Sequence, residues 1–148
     1  MNEILAYIVA IQILADDLHY ESKGPAFYSL HLLADRVKEG LNEDIDALKE
    51  SFYLGELRAI PPKTDETYAE AINFVYNIRQ SIKIDGTISS DNIIGYRLKN
   101  ALNLLTHKIE DLKNREENLM SGTVAILDGI SQKMLIASGL LERTLTFA

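Results

Sequence analysis

The run Leu18-His19-Tyr20-Glu21-Ser22-Lys23-Gly24-Pro25-Ala26-Phe27-Tyr28-Ser29-Leu30-His31-Leu32-Leu33-Ala34-Asp35 decides how this chain folds. Lys23-Gly24-Pro25 reads as a tight turn between two helices, because Gly ends one helical pattern and Pro is tolerated in the first turn of the next. Upstream, Ile4, Ile8, Ile11, Ala15 and Leu18 recur at helical spacing, with Tyr7 and Leu14 widening the stripe, so a helix is predicted from Asn2 to about Ser22. Downstream, Phe27, Leu30, Ala34, Val37, Leu41, Ile45, Leu48 and Phe52 form a second apolar stripe. It predicts one long helix from about Pro25 to Leu57, uninterrupted except by Gly40 and Gly55, with that stripe in the core.

Beyond it, Pro61-Pro62 forbids helix. A shorter helix follows from Asp65 to Lys83, capped by Thr64 or Asp65 and apolar at Tyr68, Ala71, Ile72, Val75 and Ile78, before Asp85-Gly86 breaks it. A third long helix opens at Ser89 or Ser90 and runs through Ile93, Leu98, Leu102, Leu105, Ile109 and Leu112 to about Asn118. Ser121-Gly122 separates it from a fourth, roughly Thr123 to Thr146. Nothing alternates with strand period. The expected fold is all-α: two antiparallel hairpins joined by a long crossover, the connectivity of a ferritin-like four-helix bundle, with a short extra helix in the connection between helices two and three.

Composition narrows the function classes. A length of 148 residues fits a single domain, residues 1–148, able to bury a core unaided. Cysteine is absent, which excludes thiolate zinc sites, CxxC redox pairs and a disulfide framework. The net charge of −7 and the lack of a Lys/Arg-rich tail argue against sequence-independent DNA binding. The apolar opening, Ile4 to Leu14, stops at Asp16-Asp17 and lacks the flanks of a signal peptide, and no stretch is read as a membrane span. A cytoplasmic protein is expected.

Five residues carry the chemistry: His19, His31, Asp35, Asp46 and Glu50. Imidazole with carboxylate suits divalent iron or zinc. On one straight helix, at ~1.5 Å per residue, Asp35 and Asp46 would lie about 16 Å apart and His31 and Glu50 nearly ~30 Å, too far for one metal. A second copy packed antiparallel removes the gap. The spacing from His31 to Glu50 and from Asp35 to Asp46 shares one midpoint, so a two-fold axis beside Gly40 and Leu41 sets His31 against the partner's Glu50 and Asp35 against the partner's Asp46. At ~100° per residue the four also share one helical face, within about 100°. Two equivalent intersubunit metal sites are the expectation.

The quoted run, continued by Asn42-Glu43-Asp44-Ile45-Asp46-Ala47-Leu48-Lys49-Glu50, resembles the signature of Dps-type miniferritins, LHW-x₃-G-x₂-F-x₃-H-x₃-D followed by D-x₃-E. Ser121-Gly122-Thr123 resembles the family's GTAD-type start of the last helix. The resemblance implies a homo-oligomeric shell of twelve subunits built on a two-fold dimer. It implies dinuclear ferroxidase sites at the two-fold interfaces, two irons per site with zinc as a surrogate, oxidising Fe(II) with hydrogen peroxide in preference to dioxygen and storing ferric mineral. Asp46 and Glu50, with Glu50 bridging, would hold the tighter iron, and His19, His31 and Asp35 of the neighbour the weaker one. The chain departs from the family in two places. Tyr20 replaces its Trp, and Gly122-Thr123-Val124-Ala125 lacks its acid, leaving Asp111, Glu116, Glu117 or Asp128 to line any acidic pore.

Plainer roles stand beside these. Asp35, Asp46 and Glu50 also fit the solvated face of an amphipathic helix. His107 has no acidic partner at the motif spacing and is read as a non-ligand. Tyr28, Tyr53, Tyr68 and Tyr76 read as packing groups with wet hydroxyls. The ExxH pairs of an in-bundle di-iron centre are absent. Gly40 is either a tolerated interruption costing ~1 kcal/mol or the place where two helices approach at the axis.

Overall fold

Met1 is followed by twenty helical residues, and from Ile4 to Ile11 not one is polar; all eight of these side chains are buried. A helix that is apolar all round has to be enclosed on all sides. The computed structural model, which describes residues 1–146, encloses it in this way. Helix α1 (Asn2–Glu21) packs on α2 (Phe27–Lys38), on α4 (Thr64–Ser81) and on α5 (Ile93–Arg115). Helix α3 (Leu41–Leu48) continues from α2, and α6 (Ser121–Thr146) closes the far side of the bundle against α5, α2 and α3. The described residues contain no strand. Four rods, α1, α2 with α3, α5 and α6, make the bundle, and α4 in the crossover lies outside it on α1.

Side-chain pairs fix the register of both hairpins. Gln12 donates to Asn42 at 2.8 Å, Lys38 pairs with Asp16, and His19 approaches Asp35, an antiparallel ladder between α1 and α2–α3. Lys113 with Asp128, Asn103 with Ser138 and Lys99 with Glu142 make the equivalent ladder between α5 and α6. Lys133 of α6 reaches Asp44 of α3 at 2.5 Å.

The expected long second helix is broken. Glu39 turns extended at ψ 126°, and Gly40 adopts φ +78°, a left-handed conformation in which a Cβ is strained. The helix restarts at Leu41. A Cβ on Gly40 would meet only Lys133 Nζ at 3.5 Å, so the backbone angle, not crowding, demands glycine there. The apolar stripe survives: Leu30, Ala34, Val37, Leu41, Leu48 and Phe52 are buried and Ile45 is packed against them. Phe27 departs from it, lying 42% exposed. The estimates of straight-line separation and shared angular face assumed an unbroken helix and do not describe the kinked one.

A second irregularity follows α3. Residues Lys49–Gly55 form a π-helix, in which Glu56 N–H donates five residues back to Ser51 at 2.9 Å, and Leu57 ends it at φ +53°. The wider turn allows Phe52 and Tyr53, consecutive residues, both to be buried. Three anchors hold it: Tyr53 Oη donates to Asn2 Oδ1, Ser51 Oγ and Thr123 Oγ1 are 2.6 Å apart, and Glu56 accepts from Thr123 Oγ1 and from the Met120 N–H at the start of α6. Burial raises the Tyr53 phenol to about 12. Burial also pushes the Glu56 carboxyl up, but hydrogen bonds from Thr123, Met120 and Arg58 outweigh it, and the net value is lowered.

Two smaller expectations are corrected. Helix α6 contains a window of mean hydropathy 1.4, long and apolar enough to cross a membrane by length and composition, with a third of that window buried in the bundle. Of the four tyrosines read as packing groups, Tyr53 is buried and hydrogen-bonded, whereas Tyr28, Tyr68 and Tyr76 are exposed.

Candidate metal centre

Helix α1 ends because Ser22 turns extended, and its last turn leaves carbonyls without intrahelical partners. His31, in the second turn of α2, fills that need: its Nδ1 lies 2.7 Å from the His19 carbonyl oxygen. A carbonyl only accepts, so Nδ1 is the donor, and in the neutral tautomer this selects the lone pair is on Nε2. Fixing one ring nitrogen through a backbone carbonyl is how metal-binding histidines are held in a single tautomer. The same contact also caps α1, the plainer role.

His19 stacks on His31, with ring centroids 3.9 Å apart and planes inclined by 26°, and Tyr20 meets the His19 ring edge-on at 4.6 Å. Phe27 tilts against His31 at 5.6 Å, which is what it does instead of joining the core. His19 Nδ1 lies 3.0 Å from Asp35 Oδ1, near enough for attraction but outside hydrogen-bond alignment. Among the described residues this buried polar nitrogen has no hydrogen-bond partner, a costly state that a cation shared with Asp35 would relieve. His19, His31 and Asp35 each offer a ligand atom, all within 4.8 Å of one another. The His19 side chain is 18% exposed and that of Asp35 57%, so the trio opens to the outside of the hairpin. Three donors from two residue types make an incomplete shell for iron or zinc.

Asp46 and Glu50 are not in that cluster. Both are exposed, Asp46 on α3 and Glu50 in the π-helical turn, and among the described residues neither forms an ion pair. One chain therefore gathers three of the five sequence-chosen residues and leaves two apart. Along the same hairpin run His31 and Lys38, half-buried, and Asp35, Asn42, Asp46 and Glu50, exposed, with Asp16–Lys38 and Gln12–Asn42 between the two groups. The break at Gly40 falls in the middle of this edge.

The remaining candidates lie elsewhere. His107 is exposed on α5 and outside the cluster. Of the acids considered for a pore, Asp128 is taken by Lys113 at 2.6 Å and Glu116 by Arg58 at 3.3 Å, while Asp111 and Glu117 are exposed. Sequence reasoning missed the π-helical turn under Glu50; the adjacent apolar pair Phe52-Tyr53 was its one visible sign. Compared with protein-family models, curated proteins and solved structures, the chain matches none.

Proposed function

We propose that this chain is the subunit of a cytoplasmic iron-oxidising and iron-storing shell of the Dps-type miniferritin kind, its bundle ferritin-like, its ferroxidase sites completed across a two-fold dimer axis and its assembly a dodecamer. The reading rests above all on one observation: His19, His31 and Asp35 bring ligand atoms within 4.8 Å of one another at one end of the hairpin, while Asp46 and Glu50 are exposed further along it and, among the described residues, form no ion pair. In the proposed dimer an antiparallel copy lies along that edge, and two-fold symmetry makes the two sites equivalent.

Iron is substrate here. Two Fe(II) ions held side by side deliver two electrons to one hydrogen peroxide; the O–O bond breaks, two protons are taken up, and two waters leave with two Fe(III). Because both electrons arrive together, no hydroxyl radical is released. Carboxylates favour the ferric product, and the neutral imidazoles add donors without excess negative charge. His31 is held for this by the His19 carbonyl.

The test is Fe(II) oxidation by the purified protein, with dioxygen and with peroxide, beside His31→Ala and Glu50→Ala. Both substitutions should abolish the fast phase and leave helicity unchanged. Fast oxidation retained in both variants rejects the site and leaves His31 as a helix cap.

A further inference from the structure

Asp46 and Glu50 stand one turn apart, both exposed and, among the described residues, without an ion pair. Like charges at that spacing repel, so the backbone beneath them has to hold the two carboxylates together. Glu50 sits in the π-helical turn, a conformation rare enough that it needs support from outside the segment. A shared metal demands ligands placed to within about 0.5 Å, which an unsupported turn does not give.

Helix α6 supplies the support. Thr123, fully buried in its first turn, has one hydroxyl proton, and the Glu56 carboxylate, which only accepts, takes it. The Ser51 hydroxyl, 2.6 Å from Thr123 Oγ1, is therefore the donor to Thr123. The chain of bonds runs one way, from Ser51 to Thr123 to Glu56, and the Glu56 side chain, 5% exposed, also accepts from the Met120 N–H and from Arg58. Ser51 and Glu56 are the two ends of the backbone bond that closes the wide turn. One buried hydroxyl thus grips both ends of the π spacing, and Ser51 follows Glu50 directly. On the other side of the pair, Lys133, further along α6, holds Asp44 at 2.5 Å, just ahead of Asp46.

Resting on the proposed metal site, we propose that Thr123 is a positioning residue for it: its hydroxyl clamps Ser51 and Glu56 at π spacing and so holds Glu50 in place beside Asp46 for a divalent cation. Thr123 acts only through the turn.

The experiment is Zn(II) titration and Fe(II) oxidation by the purified protein well below its melting temperature, with helicity followed by circular dichroism. Ser51→Ala and Thr123→Val should each raise the Zn(II) dissociation constant and the KM for Fe(II) by about ten-fold, the usual cost of removing a group that orients a metal ligand, with kcat less affected. Thr123→Ser, which keeps the hydroxyl, should bind as the wild type does. A purely structural role would lower the melting temperature of the variants and leave metal affinity untouched. Glu50→Ala is the reference. Affinity lost in Glu50→Ala but unchanged in Ser51→Ala and Thr123→Val overturns the role of Thr123 and spares the metal site, whereas affinity unchanged in Glu50→Ala overturns both. Equal weakening in Thr123→Ser and Thr123→Val assigns the effect to packing and overturns the clamp. Should Thr123→Val fail to fold, Ser51→Ala, at a half-buried position, decides the matter.

Discussion

Mixing two dead variants should restore activity. In the proposed dimer each site takes His19, His31 and Asp35 from one subunit and Asp46 and Glu50 from the other. His31→Ala spoils the histidine side of both sites in its homodimer, and Glu50→Ala spoils the carboxylate side of both. A heterodimer concentrates the damage: one site receives both defects and the other receives none. Equal amounts of the two chains, co-folded from denaturant, assort into about half heterodimers, so about a quarter of the wild-type number of intact sites returns from two inactive parents. The assay is Zn(II) or Co(II) stoichiometry alongside the fast phase of Fe(II) oxidation, with an affinity tag on one chain to establish that heterodimers formed. A mixture as inactive as its parents, with heterodimers present, would refute the intersubunit arrangement. Metal binding that scales with His19, His31 and Asp35 alone would place the whole site within one chain.

Other expectations concern the elements that shape this edge. Gly40→Ala puts a Cβ into a left-handed residue and should cost about 1–2 kcal/mol in denaturant unfolding, with little direct steric effect because only Lys133 lies nearby. Glu56→Ala leaves Thr123, the Met120 N–H and part of Arg58 without their acceptor; a loss of about 1–3 kcal/mol is expected in the same measurement. Since the Glu56 carboxyl titrates below its ordinary 4.5 when folded, its contribution is complete above that value and disappears as pH falls through the folded one, so Glu56→Gln should flatten the acid limb of the stability profile. Tyr53 behaves in the opposite sense: with its folded value raised from 10.0 to about 12, the unfolded chain loses the proton first and stability declines between those limits, a decline that Tyr53→Phe should remove from a thermal-melt series.

Much of the fold was legible because hydrophobic spacing is a direct image of the core. The stripes through Ile4–Leu18, Leu30–Phe52 and Leu98–Leu112 predicted helices, and the residues named in them are buried apart from the half-buried Ile45, with Leu5, Ala6, Val9, Ala10 and Leu33 buried besides. Spacing is blind to a break that preserves it. Val37, Leu41 and Ile45 continue at four-residue steps across Gly40, so the pattern looked seamless although the backbone turns there; only the positive φ, invisible in sequence, distinguishes a tolerated glycine from a required one. The π-helical turn was hidden for a similar reason, as Leu48 and Phe52 kept ordinary spacing and only Tyr53 broke it. Phe27 was read as core because its position suited the stripe, whereas the His31 ring offered it a partner at the surface. In the site, local spacing sufficed for His19, His31 and Asp35, joined by one tight turn. Asp46 and Glu50 lie beyond that turn, and a single chain leaves them apart from the trio.

Enclosure of α1 on every side sets a clock for the whole domain. An amide between Ile4 and Ile11 meets solvent only when its neighbours separate, so deuterium should enter there at the rate of global opening, while the exposed flank of α4 exchanges through far smaller fluctuations. Iron loading or dimer formation that stabilises the native state will therefore be read in the slowed exchange of the buried stretch Ile4–Ile11.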